Sequence, residues 1–207
     1  MIDLYTWTTP NGRKASIMLE ETGLPYTVHP IDIGKNDQFD EDFLNISPNN
    51  KIPAIVDQDN GMSLMESGAI LIYLAEKTDM LMPKQNRWQI LEWLMFQMGG
   101  FGPMLGQAHH FLHFKPEVSE YASKRYKVEA QRLYAVIDHQ LEQSEYIAGD
   151  YSIADIALWP WASRFEWQQV DLDDFENVKR WYISIAERPA VQRGYDIPIR
   201  VGDIPMP

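Results

Sequence analysis

The sequence has no cysteine. That excludes disulfides, thiolate zinc sites, iron–sulfur clusters and any nucleophile carried on a protein cysteine. It suits a reducing compartment, where no covalent staple forms. Long apolar runs are missing as well. No window holds 18 apolar residues, so no helix is expected to span a membrane. Residues 1–3 lead straight into a strand-like run, with no basic segment ahead of an apolar one. The expectation is a soluble, cytoplasmic chain without a signal peptide. Bases are scarce: 18 Lys and Arg face 30 Asp and Glu, for a formal charge of -12. Such a field repels nucleic-acid backbones and anionic lipid, so neither is an expected partner. An anionic small molecule binds only where local positive groups overcome that field. The deficit is steepest at the start, where residues 1–80 carry 13 acids and 5 bases. No internal repeat, Gly-rich phosphate loop, nucleophile elbow or kinase element appears.

What is present is a globular composition, 45% apolar and 23% charged over 207 residues. One or two domains and a substantial core are expected. Ile2, Leu4 and Tyr5 suggest a first strand. Ala15, Met18, Leu19 and Thr22 then share one helical face, with Gly23 at the C-terminal cap and Pro25 barring continuation. Residues 26–33 read as a second strand and 41–46 as a short helix. Residues 54–56 and 62–64 read as a hairpin pair, and 67–77 as a helix. Residues 78–87 read as a connection around Pro83. Beyond it the pattern is helical, with long stretches over 87–110 and 116–143. In the second of these Tyr121, Val128, Tyr134, Ile137 and Leu141 form an apolar set. Six of the seven tryptophans, at 88, 93, 159, 161, 167 and 181, fall in this half. Large aromatics at helical spacing read as core. Residues 194–207, with three prolines, are expected to be extended and packed on the surface, or loose.

Four segments could carry chemistry. Thr9-Pro10-Asn11-Gly12 sets a hydroxyl and an amide beside a helix N-terminus, where backbone N–H groups favour an anion; an ordinary turn with Asn11 as N-cap reads the same way. Ser47-Pro48-Asn49-Asn50-Lys51-Ile52-Pro53 precedes a strand. A cis bond before Pro53 would turn the Ile52 backbone groups outward, toward an extended peptide. Glu66-Ser67 stands before a helix, with Ser67 a possible N-cap whose helix start would hold a carboxylate and Glu66 placed for an ammonium group. Ser152-Ile153-Ala154-Asp155 is a capping box with Asp at its last position and reads as structural. His109 and His113 have the i, i+4 spacing of paired zinc ligands, but no third ligand is evident, so no metal site is expected.

Together these segments resemble the cytosolic glutathione transferases over nearly the whole chain. Ile2-Asp3-Leu4-Tyr5, residues 47–53 and the run Gly99-Gly100-Phe101-Gly102-Pro103-Met104-Leu105-Gly106-Gln107-Ala108-His109-His110-Phe111 resemble the nu-class branch of bacterial disulfide-bond reductases. The resemblance implies an α/β thioredoxin-like glutathione domain over residues 1–80, a linker at 81–87 and an all-α domain over 88–207. It implies a homodimer using glutathione or its disulfide as co-substrate. Thr9 and Asn11 would sit beside the sulfur. Ile52 and the cis-proline Pro53 would hold the cysteinyl backbone, and Glu66 and Ser67 the γ-glutamyl end. Gln38 and Lys51 would lie by the glycyl or neighbouring backbone groups. Arg132 would reach across the dimer interface, and the histidines would lie near the site mouth. Tyr5 takes no role in this branch. The implied reaction is thiol–disulfide exchange on small disulfides. The alternatives are a transferase that conjugates electrophiles or reduces peroxides, and a non-catalytic binding module.

Overall fold

The computed structural model describes residues 1–207, which form two units. One joins Met1–Pro83 with Glu187–Ile204; the other joins Lys84–Ala186 with Pro205–Pro207.

In the first unit, strand β1 (Ile2–Thr6) alternates buried Ile2, Leu4 and Thr6 with part-exposed Asp3 and Tyr5. Helix α1 (Pro10–Thr22) starts at Thr9 and stops at Gly23, whose φ of 67° lets its N–H reach the Leu19 carbonyl. Strand β2 (Tyr26–Pro30) is shorter than the expected 26–33. Pro30 has no N–H to extend a ladder, and Asp32 closes a polar turn by accepting from Gly34 N–H at 3.0 Å. Helix α2 (Glu41–Ile46), strands β3 (Ala54–Asp57) and β4 (Met62–Met65) and helix α3 (Ser67–Thr78) follow. The sheet order is β2-β1-β3-β4; β1 and β2 run parallel and the other pairs antiparallel. This is the thioredoxin-like arrangement. Ile17, Met18, Leu19, Ile70, Leu71 and Leu74 are buried between the sheet and its helices, each stabilising the fold by roughly 1.5–3 kcal/mol.

Residues 187–204 depart from the expected division, because helix α9 (Pro189–Tyr195) packs on α1. A Cβ at Gly194 would lie 2.7 Å from Ile17 Cα, so only glycine permits the approach. Ser16 Oγ donates to the Gly194 carbonyl at 2.7 Å, and Arg188 pairs with Glu21 through two bonds of 2.7 and 2.8 Å. The buried Arg13 guanidinium lies 3.4 Å from the centre of the Tyr195 ring.

The second unit is helical. Helix α4 (Arg87–Phe96), the π-helical segment Gln97–Phe101, helix α5 (Gly102–His109) and a second π-helical segment, His110–Phe114, form one run. It extends four residues past the expected 87–110. Helix α6 (Glu120–Leu141) begins where Ser119 Oγ accepts the Ala122 N–H at 3.2 Å, later than the expected 116. Tyr134, Ile137 and Leu141 are core, whereas Tyr121 and Val128 from the same expected set are 77% and 58% exposed. Trp159 and Trp181 are fully buried, but Trp88 is exposed, against the reading of all these tryptophans as core. Helix α7 (Ile153–Ala162) carries the expected capping box and keeps Pro160 inside it. Asp155 accepts from Ser152 N–H, Ile147 N–H and the Trp181 indole at 3.0, 3.0 and 2.8 Å. Burial pushes its carboxyl up to about 6 against those donors. Helix α8 (Glu176–Ala186) supplies that tryptophan. No helix is long and apolar enough to cross a membrane.

Candidate functional site

Strand register gathers the candidate residues at one end of the sheet. Tyr5 lies opposite Ala54, and Ala54 opposite Met65. The exit of β1 toward Thr9, the entry of β3 at Ile52 and Pro53, and the exit of β4 at Glu66 therefore share that end. Thr6 also pairs with Pro30, so the loop carrying Gln38 leaves from it too. Two helices, α1 and α3, begin there, and their N-termini favour an anion against the acidic background.

Thr9, not Asn11, caps α1: its Oγ1 accepts the Gly12 N–H at 3.1 Å. The hydroxyl hydrogen therefore remains a donor. Asn11 stands in the first turn. A Cβ at Gly12 would meet the Trp7 carbonyl oxygen at 2.1 Å, so glycine is what lets α1 start this close to the preceding loop. The Ile52–Pro53 peptide bond is cis. Ile52 lies outside the ladder, which starts at Ala54. The turn before it is tied by Asn50 N–H to the Ser47 carbonyl and by Ser47 Oγ to the Lys51 carbonyl, both 2.8 Å. The Lys51 side chain is exposed. Gln38 Oε1 is shielded from solvent without a protein donor.

Glu66 turns the chain from β4 into α3 with φ 71° and ψ 112°, a conformation that costs a non-glycine residue about 1–3 kcal/mol. Ser67 is the first helical residue rather than the expected cap. The first α3 bond runs from Ile70 N–H to the Glu66 carbonyl, so the N–H groups of Ser67, Gly68 and Ala69 have no acceptor within the helix.

Sequence reasoning missed Lys14. It is buried in α1, and its ammonium donates to Ser67 Oγ at 3.3 Å. Burial lowers its pKa to about 7, opposed by the Glu66 carboxylate. The signal was present: Lys14 precedes the buried Ile17 and Met18 by three and four residues, which puts it on the inward face. Tyr5 stacks on His29 at 4.6 Å, and burial together with Asp3 raises its phenol above the ordinary value.

Arg132 lies on α6 in the second unit and makes two bonds to Glu129 at 2.8 and 2.7 Å. His109, also in that unit, is buried and within 3.0 Å of the Gln168 amide nitrogen. Burial and Arg164 lower it to about 4, so the ring is neutral near pH 7. His113 stacks on Trp167 at 4.3 Å. No group of three metal-type ligands comes together.

Residues 1–76 match the glutathione S-transferase N-terminal domain and residues 101–189 the C-terminal domain. The chain belongs to the glutathione S-transferase family. It is 52% identical over 198 residues to the disulfide-bond oxidoreductase YfcG of Escherichia coli, covering 92% of each chain. To YghU of the same organism, also called a disulfide-bond oxidoreductase, it is 42% identical, covering 93% of this chain and 73% of that one. A glutathione transferase structure from Pseudomonas putida, with one glutathione disulfide bound per subunit, superposes with a TM-score of 0.91 at 45% identity. It covers 95% of this transferase and 91% of that chain. One from Burkholderia graminis, with two glutathione molecules per subunit, gives 0.90 at 46% identity, covering 95% and 88%.

Proposed function

We propose that this transferase is a glutathione-dependent disulfide-bond oxidoreductase of the nu-class branch. Every reacting sulfur comes from its ligands. The observation that carries the reading is Thr9 capping α1 with its hydroxyl hydrogen to spare, in a chain without cysteine. A relative at 52% identity that bears that activity's name supports it.

A glutathione thiol of ordinary pKa, about 8.5–9, is mostly protonated at pH 7, and only the thiolate attacks. A shift of two units needs about 2.7 kcal/mol of preference for the anion. Hydrogen bonds from Thr9 and Asn11 and the α1 N-terminus supply such a preference. The thiolate attacks one sulfur of the substrate disulfide and forms a mixed disulfide; the other sulfur leaves as a thiolate and takes a proton. A second glutathione thiolate attacks the glutathione sulfur of that intermediate. Glutathione disulfide forms, and the remaining substrate thiolate leaves. Ile52 and Pro53 align the cysteinyl backbone, Glu66 takes the γ-glutamyl ammonium and Ser67 its carboxylate. Gln38 lies by the glycyl or neighbouring backbone groups, with Lys51 exposed at the rim.

The reductant places the reaction in the cytoplasm, whose glutathione pool is kept reduced. The assembly is a homodimer. Exposed Tyr121 and Val128 on α6, with Met104, line a groove of about 500 Å³ that suits a second copy. Arg132, beside that groove, reaches the partner's ligand on releasing Glu129. Calorimetric titration tests the reading. Two glutathiones, or one glutathione disulfide, per subunit is the expected stoichiometry; a single glutathione with no binding of the disulfide would favour a conjugating transferase.

A further inference from the structure

A pocket in the second unit takes no part in the reaction above. It opens where the π-helical segment His110–Phe114 meets the start of α6, and its volume is about 300 Å³. Phe111, Leu112 and Pro116 give it apolar surface, Lys124 and Lys127 give it positive charge, and Glu120 is its one carboxylate. Two ammonium groups against one carboxylate reverse the balance of a chain at -12. Neither ammonium is neutralised within the protein. Glu120 and Lys124 stand at the i, i+4 spacing that favours an ion pair, yet none joins them. Lys127 Nζ donates to the Gln169 side-chain oxygen at 3.1 Å, a neutral acceptor.

The walls are fixed before any ligand arrives. Ser123 Oγ ties α6 to the segment, lying 2.8 Å from the Phe111 carbonyl and 3.0 Å from that of Ser119. Phe111 stacks on Tyr126, with ring centres 5.5 Å apart and planes 8° from parallel. A preset pocket spends little free energy on ordering when it binds. We propose that this pocket binds a small aromatic monocarboxylate, at a site that shares no residue with the glutathione scheme. The ring lies against Phe111, Leu112 and Pro116, and the carboxylate takes the two ammonium groups. Apolar surface favours such an acid over an inorganic anion, and Glu120 opposes a second negative charge on the ligand. A volume at the lower bound of ligand pockets suits a ring-bearing acid rather than a peptide.

Calorimetry on the full-length chain with 2-naphthoate, and with 2-naphthamide as its uncharged counterpart, tests this. The wild-type Kd for 2-naphthoate is expected at roughly 0.1 mM, with the amide about tenfold weaker. Lys124→Gln and Lys127→Gln should each raise the naphthoate Kd about fivefold, and Glu120→Gln should lower it about twofold. Lys124 also lines the groove assigned to a second copy, so Lys127→Gln, outside that groove, decides between the lysines' roles. The thermal midpoint reports folding, and the gain in Glu120→Gln cannot come from unfolding. An amide that binds as tightly as the acid, a Lys127→Gln variant that binds as wild type does, or no naphthoate binding at all overturns the assignment. Loss of naphthoate binding on adding glutathione disulfide also overturns it, since the acid would then sit among the glutathione residues.

Discussion

Thr9 accepts the Gly12 N–H, which leaves its hydroxyl hydrogen as a donor, and in the proposed reaction that donor serves the ligand sulfur. Thr9→Ala loses both, so it is expected to cost about 1 kcal/mol of stability as a lost cap. Losing a bond to an anion should lower disulfide-reductase kcat/KM by about 10–100-fold. Thr9→Ser keeps both groups and should stay within about threefold of wild type by the same reasoning. Asn11→Ala should lower turnover with little change in thermal midpoint. Asp57 shows a different use of charge. Burial pushes its carboxyl up, but Lys77, Tyr73 and the Asp59 N–H outweigh that and hold it at about 2. A depressed carboxylate pKa contributes stability that is whole above about pH 4 and is lost as pH falls toward 2, here about 2 kcal/mol. Urea midpoints measured from pH 5 down to 2 should fall more steeply for wild type than for Asp57→Asn. Asn11 as the α1 cap was the ordinary-turn alternative, because its type suits the role; the structure gives the cap to Thr9, whose place before Pro10 lets its oxygen reach the Gly12 N–H. Lys14 was unread because a basic residue in a helix is ordinarily a solvated one.

At the scale of elements, local chemistry was the most readable. Gly23 with Pro25 ended α1, and Ser152 with Asp155 opened α7, because caps depend on neighbours three or four residues apart. Asp155 also binds the Trp181 indole, a contact 26 residues away that no capping rule contains. Asp155→Ala leaves that indole and two backbone N–H groups buried without an acceptor, and should cost about 3–5 kcal/mol by chemical denaturation. Gly12 is a second fulcrum. Its substitution by alanine drives a Cβ into the Trp7 carbonyl, so Gly12→Ala should shift the start of α1. Glutathione affinity should drop at least tenfold, a change larger than the loss of thermal stability. The π-helical segments that join α4, α5 and the stretch to Phe114 were not legible, since their extra residue per turn leaves the apolar pattern still helical.

For the whole molecule, the two-part design followed from texture: short strands and turns, then helices. The place of α9 did not, because its pattern matches the helices before it and its docking depends on Gly194 meeting Ile17 across 177 residues of chain. Tyr121 and Val128 were grouped by periodicity with Tyr134, Ile137 and Leu141 in one apolar set, and periodicity does not say which members of such a set face the core. If their face joins two copies, Tyr121→Glu with Val128→Glu should give a monomer by sedimentation velocity, with each chain still folded. A dimer unchanged by both substitutions would put the interface elsewhere. The missing cysteines sharpen the central claim: a redox enzyme with no thiol of its own. The direct test is glutathione-dependent reduction of 2-hydroxyethyl disulfide by protein first treated with iodoacetamide and desalted. Full turnover that survives the alkylation and is lost in the Thr9→Ala, Asn11→Ala double variant is the expected result; turnover no faster than the uncatalysed exchange, or a double variant as active as wild type, would contradict it.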